Sequence, residues 1–368
     1  MIFVPSLHRC LAALAAMCVL GLAPLASQAQ PAGADGDNFL YRAVAGDTLI
    51  DLAKRYTDNP ANWITLQSLN QVADPTRLPI AKQLKIPFAL IPEVPAPATV
   101  NHVKGQADVN GAPATLNSQV NEGDVIKTGP NGFVTLQLAD DSAMSIPPGS
   151  HLVVERLRAF KGTGLIDSIL DVRSGGLESE VAPADTGVGR FEIRTPVSVT
   201  GVRGTRLRVR SAQDGSQSEV LHGRAHLATS GKQAAVLRRG EGAATSASGD
   251  FLGVRPLLPA PQLAAPTRGG QGWVTRFPAV PGAQAYLVQV AQDDAGTQLI
   301  SSKRFDSPEV TYGAQGTGTF YVRVRAIDGD GVMGEDAVLS FPGQPALSTA
   351  FGLPVFTGYG DAVALRAD

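Results

Sequence analysis

The sequence predicts a mainly β protein built from several domains. Three observations lead there. Glycine (40) and proline (26) are abundant among the 368 residues, which implies many turns. Short runs of alternating apolar and polar residues recur from residue 100 onward, the pattern of half-buried strands. Two proline-rich stretches, 89–99 and 254–267, interrupt a chain that is too long for one ordinary core.

The N-terminus sets the expected compartment. His8 and Arg9 precede an apolar run from Cys10 to Ala26, and Ser27 and Ala29 then stand at the spacing of a cleavage site. This is the layout of a secretory signal peptide over 1–29, so the mature chain is expected in the periplasm. Both cysteines, Cys10 and Cys18, fall inside that segment. The mature chain is therefore expected to have no disulfide, thiol nucleophile or thiolate metal site. No later stretch reaches the ~18 apolar residues of a transmembrane helix. A formal charge of -2 with 17% charged residues gives no general pull toward nucleic acid.

Residues 30–38 read as a polar lead-in, and residues 39–88 carry the one clear helical periodicity. Tyr41 and Ala43 alternate with Leu40, Arg42 and Val44 as a strand, which the turn AGDT ends. Thr48 is placed to N-cap a helix, with Asp51 as the acidic partner of a capping box. Leu49, Leu52, Ala53 and Tyr56 then share one apolar face. Asn59 and Pro60 open a second helix, in which Trp63, Leu66 and Leu69 or Asn70 share a face, and Gln83 to Ile86 form a closing strand. The whole reads as a βααβ unit.

The run Tyr41, Val44, Gly46-Asp47-Thr48-Leu49, Ala53, Tyr56, Trp63, Leu66, Asn70, Asp74-Pro75, Leu78-Pro79 and Leu84-Lys85-Ile86-Pro87 resembles the LysM domain, a peptidoglycan- and chitin-binding family. The resemblance implies a shallow groove for N-acetylglucosamine-containing glycan between two loops. Gly46, Asp47, Thr48 and Leu49 would line one side, and Asp74, Pro75, Leu78, Pro79 and Ile80 the other. One departure is Ala81, near which the family usually has glycine.

Residues 100–250 read as successive short strands with glycine-rich turns. Gly123-Asp124, Thr128-Gly129, Asp140 to Ser142, Leu170 to Gly175, Thr195-Pro196 and Val202-Arg203-Gly204-Thr205 resemble, in that order, the FecR-like periplasmic domain. That family is all-β, similar to a solenoid or stacked hairpins. Asp141 stands where the family commonly has glycine, and aspartate tolerates the left-handed backbone such a turn needs. Family regulators of iron-transport signalling carry a cytoplasmic anti-sigma segment and a transmembrane helix before this domain. Here a signal peptide and a LysM-like unit are read in that place, so the sigma-regulator role is not expected to transfer. Thr195, Pro196, Arg203, Gly204 and Thr205 are expected to be structural, with Arg203 bonding turn carbonyls or a carboxylate. Alternation puts Arg206, Arg208 and Arg210 on one strand face and Thr205, Leu207 and Val209 on the other. The arginine face reads as solvated, able to pair with an acidic neighbour or an anionic wall polymer.

Residues 268–342 place Trp273 on one strand, Tyr286, Val288 and Val290 on the next, and Tyr321 to Ala326 near the end. This layout resembles a fibronectin type III module, a β-sandwich that spaces or binds. Alternation puts Arg323 and Arg325 beside Tyr321, opposite Val322, Val324 and Ala326. The tail 343–368 is rich in glycine and alanine.

No chemistry stands out. His222 and His226 are four apart, yet no cysteine or Glu-x-x-His grammar completes a metal site, and neither a Gly-x-Ser-x-Gly elbow nor a P-loop occurs. No cofactor, metal or catalytic residue is expected. The expected function is a non-catalytic, peptidoglycan-binding adaptor that presents its β modules to an envelope protein partner. An envelope sensor acting through a membrane partner is the alternative, and a wall hydrolase the third reading.

Overall fold

The structure, a computed structural model, describes residues 31–181, 188–202, 204–269, 272–344 and 355. The segment 1–29 expected to be a signal peptide, Arg203 and most of the tail lie outside the described residues. The protein is mainly β, and among the described residues α-helices occur only within 49–70.

The first module packs helices α1 (Leu49–Thr57) and α2 (Trp63–Asn70) on a three-stranded antiparallel sheet. Asn38–Arg42 is the central strand, between Gln83–Pro87 and Pro31–Asp35. The last of these corrects the sequence reading, which took 30–38 as a lead-in. Backbone pairing with Asn38–Arg42, rather than an apolar pattern of its own, makes it a strand. Phe39, Tyr41, Leu49, Leu52, Tyr56, Leu66, Leu84 and Ile86 fill the core. Asn70 is not an apolar-face residue: its side chain accepts from the Lys85 amide (2.6 Å) and donates to the Lys85 carbonyl (2.8 Å), tying α2 to the sheet edge. Leu69 is exposed.

Segment 89–99 leaves a short 3-10 turn, Phe88–Leu90, and then runs extended from Ile91, but it is not free. Glu93–Pro95 pairs with the strand His151–Phe160, and Ala98–Lys104 pairs with Phe133–Gln137. Pro95 sits at the end of its strand, where a missing N–H is tolerated. Ile91 packs with Phe160 and Leu165 of the second module against the first module's core, and Phe88 stacks on Phe160 with ring centroids 4.2 Å apart.

The second module encloses one apolar core between two sheets. Its longest strand, Ile166–Glu180, serves both. The first half pairs with His151–Phe160 and, in parallel, with Val188–Arg194; the second half pairs with Ala143–Ile146 and Arg206–Ala212. Gly175 marks the crossing point. Its φ is +80°, and a Cβ there would lie 2.4 Å from Ser150 Cα, so only glycine fits. Asp141 adopts φ 65°, the left-handed turn its place in ADDS requires.

The third module has two antiparallel sheets. Thr267–Gly269, Gly272–Arg276 and Glu309–Tyr312 form one; Leu299–Phe305, Ala285–Ala291, Thr319–Ile327 and Ala337–Pro342 form the other, in that spatial order. Tyr286, Val288, Val310, Phe320, Val322, Val324 and Phe341 pack between them.

The arginine faces are not solvated. Arg208 is 1% exposed and Arg325 0%, because the outer face of the third module's larger sheet covers the strand Arg206–Ala212. Arg208, Arg323 and Arg325 meet Glu178, Glu219 and Asp336 in this seam, so the charges balance. Arg325 reaches Glu178 at 2.7 Å and Asp336 at 2.8 Å, and Arg208 donates to the Gly334 carbonyl at 2.7 Å. Arg210 donates to the Gly331 carbonyl at 2.7 Å. Each arginine row alone has the alternation of a wet strand face; opposed across three carboxylates, the two rows can be dry.

Burial pushes the Asp336 carboxyl up, but the guanidiniums of Arg325, Arg208 and Arg323 outweigh it and hold Asp336 at about 2, below its ordinary 3.8. A carboxyl depressed in the folded state stabilises fully above its unfolded value and loses that contribution as pH falls through the folded one. Glu178 is likewise lowered: burial opposes, and Arg325 and Arg208 prevail. Glu219 is raised by burial, so its protonation relieves a cost at higher pH and is already complete before the Asp336 loss begins. We therefore expect the seam to weaken between pH 3.8 and about 2. Amide exchange in Arg206–Ala212 and Thr319–Ile327 checks this; protection unchanged across that window contradicts it.

Candidate functional site

The two loops of the first module are one surface. The first follows the strand Asn38–Arg42. Gly46, at φ +88°, turns the chain where a side chain would be strained, and the Asp47 amide donates to the Val44 carbonyl at 3.3 Å. Asp47 is buried, and its carboxylate accepts from the Tyr41 hydroxyl (2.7 Å) and the Val44 amide (2.8 Å). Burial, then this hydrogen bond, pushes the Tyr41 phenol well above its ordinary value. Thr48 N-caps α1: its Oγ1 accepts from the Asp51 amide at 3.2 Å and donates to the Asp51 carboxylate at 2.6 Å.

The second loop is shaped by Asp74, whose carboxylate accepts from the Thr76 amide (2.9 Å) and hydroxyl (2.6 Å), an Asx turn. These bonds lower the Asp74 carboxyl below its ordinary value. Three backbone bonds join the loops. The Leu49 amide donates to the Pro75 carbonyl (2.9 Å), the Ala81 amide to the Ala43 carbonyl (2.8 Å), and the Ala43 amide to the Lys82 carbonyl (2.9 Å).

The nine residues named from sequence thus come together, but in two roles. Leu49 and Leu78 are core, and the Asp47 carboxylate is already engaged, so these three hold the loops rather than face a ligand. Gly46, Thr48, Asp74, Pro75, Pro79 and Ile80 reach solvent, Thr48 and Pro75 only in part. Ile80 is 71% exposed. Sequence reasoning missed Ile50, which is 50% exposed one residue beyond the first loop. Its signal was available: it stands off the face of Leu49, Leu52, Ala53 and Tyr56, an apolar residue with no core to fill.

Ala81 adopts φ 64°, the left-handed conformation that glycine takes without strain. That region costs an ordinary L-residue roughly 1–2 kcal/mol, against about 0.5–1 kcal/mol for glycine's greater chain entropy. We expect Ala81→Gly to stabilise the first module by about 0.5–1 kcal/mol. Urea unfolding checks this, and a lowered midpoint contradicts it.

Thr195, Pro196, Gly204 and Thr205 lie at turns bonded within the fold. Thr195 Oγ1 accepts from the Ser198 amide at 2.9 Å, closing the turn between the strands Val188–Arg194 and Ser198–Val202. Pro196 lies within that turn. Gly204 has φ +56°, and Thr205 Oγ1 donates to the Arg224 carbonyl at 2.8 Å. Gly223 crosses here so closely that a Cβ would lie 2.6 Å from the Gly204 carbonyl oxygen. Among the described residues, no cluster of three or more histidine, cysteine or acidic side chains is arranged to hold a metal.

The LysM domain model matches residues 41–87, and the FecR protein model matches residues 124–226. No curated protein matches the sequence. Solved structures similar to this chain include a candidate anti-sigma factor from Parabacteroides distasonis at 13% identity, covering 36% of this chain and 59% of that one, with a TM-score of 0.30. A second structure of that description matches at 14% identity with the same coverage and score. The glycoside hydrolase domain of Endo-D from Streptococcus pneumoniae matches at 12% identity, over 69% of this chain and 37% of that one, with a TM-score of 0.18. At such identities and scores these likenesses carry no functional weight. The family matches coincide with the βααβ unit and with the body of the second module: the chain carries a LysM domain followed by a FecR domain.

Proposed function

We propose that this protein is an exported, non-catalytic adaptor of the cell envelope, which binds N-acetylglucosamine-containing glycan of peptidoglycan through the joined loops of its LysM domain. The observation that carries this reading is the pair of exposed isoleucines that flank the joined loops, Ile50 in the first turn of α1 and Ile80 on the second loop, with the Leu49–Pro75 hydrogen bond between the two segments. An acetamide methyl needs a small apolar cover and its amide needs backbone partners, and such a pair supplies the first beside the second. Both matched families bind or regulate rather than catalyse, which supports a non-enzymatic role. The third module's sheets, with its first, second and fifth strands in one and the rest in the other, support a fibronectin type III-like spacer docked on the FecR domain.

The full chain is expected to co-sediment with purified sacculi; failure to do so while the LysM domain is folded overturns the reading. Release of soluble muropeptides would instead favour a hydrolase. The FecR match favours a second reading, a periplasmic sensor that acts through a membrane protein partner. Cross-linking in the envelope separates the two: a membrane protein captured by the second or third module supports the sensor, and capture of glycan alone supports the adaptor.

A further inference from the structure

The seam between the second and third modules contains a cavity of about 210 Å³. It leaves room for a small organic molecule. Its walls are of two kinds. Pro147, Pro148, Leu177, Val209, Leu287 and Met333 give an apolar lining. Arg208, Arg210 and Arg304 bring cationic side chains and Glu178 one carboxylate; Lys303, next to Arg304, pairs with the core residue Val288 and so presents its side chain to the other face of the strand.

The cations are incompletely neutralised. Arg210 is held by neutral acceptors, Gln217 Oε1 and the Gly331 carbonyl. Among the described residues, no carboxylate lies within ion-pair distance of Arg210. Arg304 has only the exposed Asp306 at 3.7 Å. Arg208, buried in the seam, is not part of this excess: it pairs with Asp336 at 3.5 Å and with Glu219 at 3.6 Å. Glu178 does not cancel this excess, because Arg325 already engages both its oxygens, at 2.7 and 3.4 Å. It does repel a dianion. The buried cluster of three arginines and three carboxylates is balanced; beside it the seam keeps an apolar pocket with two cations, Arg210 and Arg304, that no buried carboxylate neutralises.

We propose that the cavity is a binding site for a small organic monocarboxylate, with its carboxylate at Arg304 and Arg210 and its hydrocarbon body against Pro147, Pro148 and Leu287. The site draws on both modules, so its ligand fastens the third module to the FecR domain. It is separate from the LysM loops and does not depend on their ligand.

The test uses the full mature chain and calorimetric titration with hexanoate and benzoate, beside hexanamide, benzamide and inorganic phosphate. The expected result is binding of at least one carboxylate at least tenfold tighter than its amide and than phosphate. Arg304→Gln changes an exposed side chain and is expected to weaken that binding at least tenfold with unfolding unchanged. Binding at the site also slows amide exchange in Leu299–Phe305. Equal affinity for carboxylate and amide, phosphate bound as well as carboxylate, no binding at millimolar ligand, or carboxylate binding untouched by the substitution would each overturn the proposal.

Discussion

Replacing Asp336 with alanine is expected to be the most damaging single change in the molecule. Its carboxylate serves Arg325 at 2.8 Å, Arg323 at 3.4 Å and Arg208 at 3.5 Å, and it is the one acid shared by all three buried guanidiniums. Removing it leaves three buried cations against two carboxylates. Breaking a buried ion pair by deleting one partner costs about 3–5 kcal/mol, because the other charge stays desolvated. We expect a loss of that order in the stability of the coupled second and third modules, read by chemical unfolding, with faster amide exchange in Thr319–Ile327. A loss under about 1 kcal/mol, the scale of an exposed pair, would contradict the seam. The contrast is Arg208→Met/Glu219→Gln. It removes both members of a buried pair separated by 3.6 Å while keeping an acceptor for the Met333 amide, and it should cost much less than Asp336→Ala.

The second large effect is expected at Asp47. Its carboxylate is the acceptor for the buried Tyr41 hydroxyl and for the Val44 amide. Asp47→Ala strands both donors, and each unsatisfied buried group costs about 1–3 kcal/mol. The LysM domain is small and has no disulfide among its described residues, so a loss of about 2–4 kcal/mol should leave it largely unfolded near 37 °C. Trp63 fluorescence in a Trp273→Phe background reports the unfolding. A native-like midpoint would mean that Asp47 is free to serve a ligand after all, as the family resemblance implies.

Much of the fold was legible in the sequence because its signals are local. Alternation in Phe133–Gln137 and Thr319–Ile327 and the Thr48 cap each depend on a few neighbouring residues. What sequence reading missed depends on partners distant in the chain. Pro31–Asp35 is a strand because Asn38–Arg42 offers it an edge. Glu93–Pro95 pairs because His151–Phe160 comes alongside. Arg208 and Arg325 are dry because two faces, each polar by itself, close on Glu178, Glu219 and Asp336. The loop site was half legible for the same reason. Motif spacing located both loops, while the inward turn of Asp47, Leu49 and Leu78 follows from their three-dimensional packing. Ile50 was passed over because helical periodicity asks which residues face the core, and it faces away.

The central claim is that the joined loops of the LysM domain, flanked by Ile50 and Ile80, take N-acetylglucosamine-containing glycan. Its most direct test is calorimetric titration of the full mature chain with a soluble N-acetylglucosamine tetramer, wild type beside Ile80→Asp and Ile50→Asp. Both side chains are exposed, so neither substitution should move the unfolding midpoint by more than about 0.5 kcal/mol. The expected result is saturable binding by the wild type and at least a tenfold loss in each variant. No binding by the folded wild type, or undiminished binding by both variants, would contradict the account.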